Sequence, residues 1–196
     1  MKTRGIEKWA VLSLALLVSS AVFAGNYVVD ASNSTVGWHG KKVTGEHYGT
    51  IDIKEGSLEV VDGEIKGGTV SIDMQSISNE DITDAEMNGK LVGHLKSDDF
   101  FSVETHPTAT LVLTDVKKSG PNYTFTGDLT IKGTTKPVSF QASSTTEGDA
   151  VKVEGELVID RSDYDVRYGS KSFFDNLGDK MIYDDFTLNF VVVAKK

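Results

Sequence analysis

The sequence predicts an all-β domain of about eight antiparallel strands, closed as a barrel or stacked as a sandwich. Apolar and polar residues alternate with a period of two along most of the chain, as in strands that bury one face. Gly- and Asp-containing turn sequences separate the alternating segments, and no strand–helix–strand pattern suggests a parallel sheet. The 196 residues include 19 glycines but only 3 prolines, which is more typical of bent β-structure than of a helical bundle.

The first 24 residues have the pattern of a bacterial export signal. Three basic residues precede a mostly apolar run over 9–18, and the small residues Ser19, Ser20 and Ala21 follow. The run is too short for a comfortable membrane span, and Val22-Phe23-Ala24 fits the small-residue rule of signal peptidase. We expect cleavage after Ala24, which leaves one periplasmic domain over residues 25–196. A buried N-terminal helix or an uncleaved anchor is the alternative.

The strands follow in chain order from the alternation and from the turns between them. The alternating segments cover 27–30, 35–42, 48–53, 57–61, 69–74, 108–116, 123–131, 138–142, 151–159 and 186–190. They correspond to about eight strands, each with one apolar face. Turns are expected at Glu55-Gly56, Asp62-Gly63, 119–122, Lys132-Gly133 and 147–149.

Residues 78–101 break the alternation and predict a short helical insertion. Ser78 or Asn79 is the expected N-cap, because Glu80 and Asp81 follow it and favour a helix N-terminus. An apolar stripe is then formed by Ile82, Met87, Leu91 and Leu95.

A second short helical or irregular segment is expected at 171–177. Both breaks in the β-pattern carry a pair of phenylalanines, Phe100-Phe101 and Phe173-Phe174. We expect these pairs to be buried, either as a plug in one end of a barrel or as a lid over an internal cavity.

The composition excludes several kinds of chemistry. The chain has no cysteine, which removes disulfides, thiolate catalysis and Cys-ligated metal sites. The four histidines lack metal-ligand spacing, no nucleophile elbow is present, and most carboxylates sit at turns or strand ends. A net charge of −9 without a basic block argues against nucleic-acid binding. We therefore expect no enzyme activity, no metal and no cofactor.

Several motifs resemble those of the YceI-like family, in the expected order and over essentially the whole predicted domain. The matching stretches are 36–38, 45–49, 70–77, 93–101, 103–110, 127–138 and 160–164. Asp165 departs from the pattern, because a small residue such as glycine is expected there. The resemblance implies an extended, lipocalin-like, eight-stranded antiparallel barrel with a short helical insertion. It also implies a periplasmic protein that holds a long isoprenoid or related lipid, with proposed roles in lipid carriage and stress response.

The residue pattern, placed on the barrel that the resemblance implies, gives candidates for the site. Apolar candidates for the lining are Trp38, Ile72, Met74, Leu91, Leu95, Phe100, Phe101, Leu111, Phe125, Leu129, Phe140, Ile159, Phe174, Phe186 and Phe190. Polar candidates at the rim are His94, Lys96, Arg161 and Tyr164. Arg161 could pair with a phosphate or a quinone oxygen, or it could form a structural pair with a neighbouring Asp or a backbone carbonyl.

The residues alone do not decide whether the interior of the barrel is filled by side chains or holds a ligand. An eight-stranded barrel is just wide enough to be filled by side chains or to hold one slim ligand, and residue counting favours a filled core. The resemblance favours a ligand-filled barrel about 25 Å long, in which a linear chain fits. The alternatives to a carrier are a non-catalytic stress or interaction module with a filled barrel and an enzyme acting on an isoprenoid or glycan.

The expected partners are a long-chain lipid, a membrane contacted transiently and, by resemblance, a second copy in a homodimer. Burial releases about 0.8 kcal/mol per CH₂ relative to water but little relative to a bilayer, so exchange with membranes is nearly balanced. Removal of residues 1–24 leaves 17 basic and 28 acidic residues, a net charge of −11. This charge suits a soluble carrier, because it limits adsorption to anionic lipid.

Overall fold

The structure is a computed structural model that describes residues 24–196. The predicted export segment and its alternatives lie outside the described residues, except for Ala24, which begins the first strand. The described part of the chain contains ten strands and one α-helix. They are β1 (Ala24–Val29), β2 (Thr35–Lys42), β3 (Gly45–Thr50), β4 (Asp52–Val61), β5 (Glu64–Asp73), α1 (Ala85–Lys96), β6 (Thr108–Ser119), β7 (Asn122–Ile131), β8 (Thr134–Glu147), β9 (Ala150–Asp160) and β10 (Ile182–Lys195).

Eight of these strands close into an antiparallel barrel. The order is β1-β4-β5-β6-β7-β8-β9-β10, and β1 pairs back onto β10 through Val28 and Val29. The hairpin β2–β3 adds two strands to the same edge of β10, where β2 pairs with residues 186–191. The alternation predicted antiparallel strands in a barrel or a sandwich, and the structure has the closed eight-stranded barrel that the family resemblance implied. Closure leaves the eight barrel strands without a free edge.

The two ends of the barrel are built differently. At one end, which we call the hairpin end, β4–β5, β6–β7 and β8–β9 turn at 62–63, 120–121 and 148–149. The glycines of these turns have φ between 59° and 77°, a conformation that favours glycine. At the other end, the mouth end, lie α1, the connection 161–181 between β9 and β10, and the tip of the β2–β3 hairpin.

The predicted turn at Glu55-Gly56 is wrong. Both residues lie within the continuous strand β4, next to an irregularity in its register with β5 between Ile53 and Glu55. A Cβ on Gly56 would lie 2.8 Å from Val29 Cγ2 and 2.9 Å from the Thr69 carbonyl oxygen. Glycine is therefore required here by close packing rather than by a turn.

The expected cap and stripe of the helix are also partly wrong. Asp84, and neither Ser78 nor Asn79, caps α1, because its side chain accepts a hydrogen bond from the Met87 amide. Ile82 precedes the helix, and Met87 is 54% exposed, so the buried stripe comprises only Leu91 and Leu95 with Val92 beside them.

No helix of the described residues is long and apolar enough to cross a membrane.

Candidate functional site

Two adjoining cavities occupy the interior of the barrel. The one nearer the mouth end has a volume of about 170 Å³, and the deeper one has a volume of about 120 Å³. They share Val36, Ile72, Ala109, Leu129 and Leu188 as wall residues. The two cavities are therefore neighbours within one apolar interior.

Most of the predicted lining residues border this space. The mouth-side cavity is lined by Trp38, Ile72, Met74, Leu91, Leu95, Phe100, Phe101, Leu129, Ile159, Arg161 and Phe186. The deep cavity is lined by Ile72, Leu111, Phe125, Leu129, Phe140 and Phe190. The period-two alternation explains this result, because it assigns each of the strand residues to the inner face.

Phe174 and Tyr164 lie elsewhere. Phe174 is 50% exposed and borders an outer groove with Tyr168 and Leu177, and Phe173 lies under the Arg167 guanidinium, so the expected burial of this pair is wrong. The segment that carries the pair consists of turns. Tyr164 is buried outside both cavities, and burial followed by the charge of Asp163 raises its pKa to about 12.

Arg161 has a structural environment although it borders the mouth-side cavity. Its guanidinium donates from Nε to the Tyr183 carbonyl, from Nη1 to the Val166 carbonyl and from Nη2 to the Ile182 carbonyl. Nη2 also lies 3.3 Å from Asp184 Oδ1, and the group stacks over the Phe100 ring at 5.5 Å. Burial lowers the Arg161 pKa, and the Asp184 carboxylate opposes that shift.

These contacts fix the connection 161–181. The carbonyls of Ile182 and Tyr183 belong to a stretch of β10 whose register with β2 is irregular between Ile182 and Phe186. Asp184 also accepts a hydrogen bond from the Ser172 hydroxyl. Arg161 and Asp184 therefore hold the bulged start of β10 against the connection, which is the structural alternative that the sequence left open for this arginine.

The other two rim candidates do not border the cavities. His94 packs edge-to-face on Tyr168 at 4.4 Å and on Phe100 at 5.2 Å, and Nε2 lies 3.9 Å from Asp99. Lys96 ends α1 and is half-buried. Their contacts organise the outer side of the mouth end.

Polar residues of the β2–β3 hairpin border the mouth-side cavity instead, and the sequence analysis missed them. Lys42 and His47 both line it, beside Gly40. Gly40 pairs with His47 and Lys42 with Gly45, so these residues continue the inner face that begins at Val36 and Trp38. Extending the alternation of β2 beyond Trp38 would have found Lys42.

The segment before α1 covers the free edge of β3 and positions His47. Ser78 donates from its amide to the Thr50 carbonyl, and Glu80 donates to the Tyr48 carbonyl. His47 Nδ1 lies 2.8 Å from Asp81 Oδ2, and the Tyr48 amide donates to Asp81 Oδ1. Burial raises the Asp81 pKa, but these hydrogen bonds and that of Asn79 outweigh it and lower the pKa overall.

Gly49 permits this close approach. A Cβ at this position would lie 2.1 Å from the Ser78 carbonyl oxygen, so every other residue would push the segment away from β3. The same carbonyl accepts a hydrogen bond from Trp38 Nε1 at 2.9 Å.

Among the described residues, no group of three or more His, Asp or Glu side chains is arranged to hold a metal ion.

Comparison with known proteins agrees with this architecture. The family model described as YceI-like domain matches residues 27–194. A UPF0312 protein of Photorhabdus laumondii is 33% identical over 136 residues, which are 68% of each chain. Protein YceI of Escherichia coli is 46% identical over 56 residues, which are 29% of each chain.

Two solved structures share the fold. BcnA of Burkholderia cenocepacia has a TM-score of 0.64 at 24% identity, covering 85% of this chain and 99% of its own. A polyisoprenoid binding domain from Saccharophagus degradans, implicated in plant cell wall breakdown, has a TM-score of 0.62 at 17% identity. That match covers 86% of this chain and 97% of the other.

Proposed function

The chain belongs to the YceI-like family, and on this premise we propose that it is a periplasmic carrier that holds one long-chain isoprenoid inside its barrel. The lipid class is a polyprenyl or quinone-like chain. The family and its polyisoprenoid-binding neighbour support a binding role rather than a catalytic one.

The observation that supports this proposal most directly is the apolar interior of the barrel. It contains two neighbouring cavities that share five wall residues, all of them aliphatic. A slim linear chain matches such a space, whereas a bulky ligand does not. Each CH₂ that moves from water into the barrel contributes about 0.8 kcal/mol, so even a partly inserted chain is held firmly against water.

Native mass spectrometry of the protein purified from its own host tests the carrier. We expect a stoichiometric mass increment that organic solvent removes and that extraction identifies as an isoprenoid. The same spectrum reports whether the protein is a monomer or the homodimer that the resemblance implies. A consistently ligand-free mass after gentle isolation would contradict the carrier and favour an interaction module whose barrel is purely structural.

Lipid transfer requires contact with a membrane, and the mouth end has a suitable surface. It carries seven large apolar side chains that are 38–54% exposed: Val43, Tyr48, Met87, Tyr168, Phe173, Phe174 and Tyr183. Residues 165–181 contain three basic and three acidic side chains, so this connection lacks the acidic excess of the whole chain. We propose that the mouth end rests transiently on the bilayer while lipid enters or leaves.

Flotation with vesicles of phosphatidylethanolamine and phosphatidylglycerol tests this contact. The double variant Phe173→Ser/Phe174→Ser is expected to float several-fold less than the wild type. The matched control is Val112→Ser/Val158→Ser, which removes two apolar side chains of similar exposure from the outer wall. Equal losses in both double variants would show that general apolarity, and not the mouth end, governs binding.

The periplasmic setting rests on the N-terminal pattern of residues 1–24. Mass measurement of the exported protein tests it directly, because cleavage after Ala24 makes Gly25 the first residue. A full-length mass in the periplasmic fraction would contradict cleavage at this site.

A further inference from the structure

We propose that Lys42 and His47 form a subsite for an anionic, phosphate-bearing head group at the mouth of the barrel. This inference rests on the carrier function proposed above, and it selects polyprenyl phosphates over neutral quinones as the ligand class. The subsite lies where the apolar interior meets solvent, between the tip of the β2–β3 hairpin and α1.

The strand register places both side chains on the inner face. Along β2, Val36, Trp38 and Gly40 border the mouth-side cavity, and Lys42 is the next residue of that face. The pairing of Gly40 with His47 puts the imidazole on the same face of β3. A Cβ built on Gly40 meets no atom within 4 Å, so the inner face of β2 is open at this position, between Trp38 and Lys42.

Lys42 carries a charge without a protein counter-ion. No described residue forms an ion pair or hydrogen bond with its ammonium group, although the side chain is partly buried. Its neighbours across the strands are Gly45 and Ile182, neither of which can neutralise it. A partly desolvated ammonium group is stabilised by an anion, and phosphate oxygens accept strong charge-assisted hydrogen bonds.

His47 is positioned to add a second donor. Asp81 occupies Nδ1 and fixes the orientation of the ring, which leaves Nε2 without a partner among the described residues. When the imidazole is protonated, both ring nitrogens donate, so Nε2 can donate to a phosphate while Nδ1 remains bonded to Asp81. Asp81 thus acts as a positioning residue for His47.

The other charges around the subsite are balanced or exposed. Arg161 pairs with Asp184, and protonated His47 with Asp81. Lys41 and Asp185 also border the cavity but are exposed, and Lys41 lies directly across from Glu46 in the β2–β3 hairpin. Lys42 therefore remains the partly buried cation without a counter-ion, and a neutral head group would leave it unpaired.

A matched pair of ligands tests the inference. Geranylgeranyl phosphate and geranylgeraniol share one chain and differ only in the head group. Delipidated wild-type protein is expected to bind both, with the phosphate bound about tenfold more tightly, the factor expected of one charge-assisted contact at a partly exposed site. Titration calorimetry or competition native mass spectrometry measures the ratio of the two dissociation constants.

Two variants test which side chains cause the preference for the phosphate over the alcohol. Lys42→Gln is expected to lower the ratio of the two dissociation constants from about tenfold to near one, and His47→Gln is expected to lower it by a smaller factor. Lys117→Gln is the control for net charge, because Lys117 is exposed near the hairpin end and pairs with Asp115. Equal affinity for both ligands in the wild type, or equal losses in Lys42→Gln and Lys117→Gln, would overturn the subsite.

The remaining outcomes separate this inference from the proposed function. If neither ligand binds, the carrier itself is contradicted; if both bind equally, only the subsite fails. Inorganic phosphate at millimolar concentration is expected not to displace geranylgeranyl phosphate, because the chain supplies most of the binding free energy. Displacement by inorganic phosphate would overturn the lipid assignment and identify a site for free anions.

Discussion

The two ends of the barrel are ordered by different physical means. Near the hairpin end, an aromatic layer closes the interior: Tyr123 stacks on Phe125 at 5.5 Å, Phe125 on Phe140 at 5.4 Å, and Phe190 meets Phe140 edge-on at 5.7 Å. At the mouth end, one buried arginine bridges backbone carbonyls and a carboxylate. Aromatic packing fills space, whereas a polar bridge spans it.

This difference explains how one barrel can be stable and partly empty. The aromatic layer contributes burial and dispersion energy and forms the floor of the deep cavity. The arginine bridge holds the connection 161–181 in place without filling the cavity beside it. Aromatic packing thus orders one end and a polar bridge orders the other, and four changes test this division.

The largest expected loss of stability comes from the aromatic layer. Phe125→Ala is expected to lower the free energy of unfolding by about 4 kcal/mol, because it removes a fully buried ring and leaves a cavity. Urea denaturation of lipid-free protein measures it, since a bound lipid would add its own stabilisation. Val112→Ala, on the outer wall, is the control, with an expected loss below about 1 kcal/mol. A comparably small loss for Phe125→Ala would mean that the layer is not tightly packed.

The second largest effect is expected at the arginine bridge. Arg161→Met is expected to cost about 3 kcal/mol, because it leaves the Asp184 carboxylate buried without a cation. The exposed pair of Arg167 and Asp165 supplies the control, and Arg167→Met is expected to cost less than about 1 kcal/mol.

The double variant Arg161→Met/Asp184→Asn tests whether the unpaired carboxylate causes this loss of stability. It removes the charge of Asp184 and is expected to recover part of the free energy of unfolding. Hydrogen exchange is expected to rise in the connection 161–181 of Arg161→Met while the strands near the hairpin end stay protected. Uniformly faster exchange in both regions would show that the two ends are not independent.

The sequence predicted the strands of both ends but not their difference. Strict alternation assigned Phe125, Phe140 and Phe190 to the inner face, and no long-range information was needed for that. It could not show that Arg161 bonds the carbonyls of Ile182 and Tyr183, because these lie about twenty residues away, on another strand. The alternation of apolar and polar residues also cannot predict a cavity, because a cavity depends on the volume that side chains leave unfilled.

Local sequence signals gave the wrong N-cap for α1, because tertiary contacts decide among residues that are equally good caps. Ser78, Asn79 and Asp84 are all good N-cap residues, and the pairing of residues 78–80 with β3 excludes the first two from that role. Asp165 stands where the family pattern has a small residue, and its φ of 59° places it in the left-handed region that glycine prefers. An aspartate tolerates this conformation better than most residues do, so the turn is kept.

The third change is expected to reduce lipid binding without reducing the stability of the fold. Gly40→Leu places a side chain in the open space of the mouth-side cavity, where the Cβ meets no neighbour within 4 Å. We expect lipid binding to fall by more than about tenfold, since the added side chain occupies the volume of several methylenes, and stability to change by less than about 1 kcal/mol. Gly37→Leu is the matched control, because Gly37 lies on the opposite face of β2, with ordinary contacts of 3.7 Å and 3.8 Å. Unchanged binding in Gly40→Leu would place the lipid outside this cavity.

The smallest effect is expected from Tyr164, and it appears only at high pH. Burial raises its pKa to about 12 in the folded protein, against about 10 in the unfolded chain, so the folded state retains the proton more strongly. The resulting stability is fully present below pH 10 and is lost as the pH rises from about 10 to about 12. Tyr164→Phe is therefore expected to be nearly neutral at pH 7 and to flatten this alkaline decline, as measured by urea midpoints at each pH.

Absorbance at 295 nm gives an independent measure, because the variant is expected to lack one phenol that ionises near pH 12. An unchanged alkaline decline in Tyr164→Phe would show that ionisation of this phenol does not limit the mouth end. Because Tyr164 ends the short 3-10 turn that Arg161 begins, its ionisation is expected to loosen the connection 161–181 before the aromatic layer. High pH would then loosen the mouth end while the aromatic layer stays intact, which is the order of events that the division between the two ends requires.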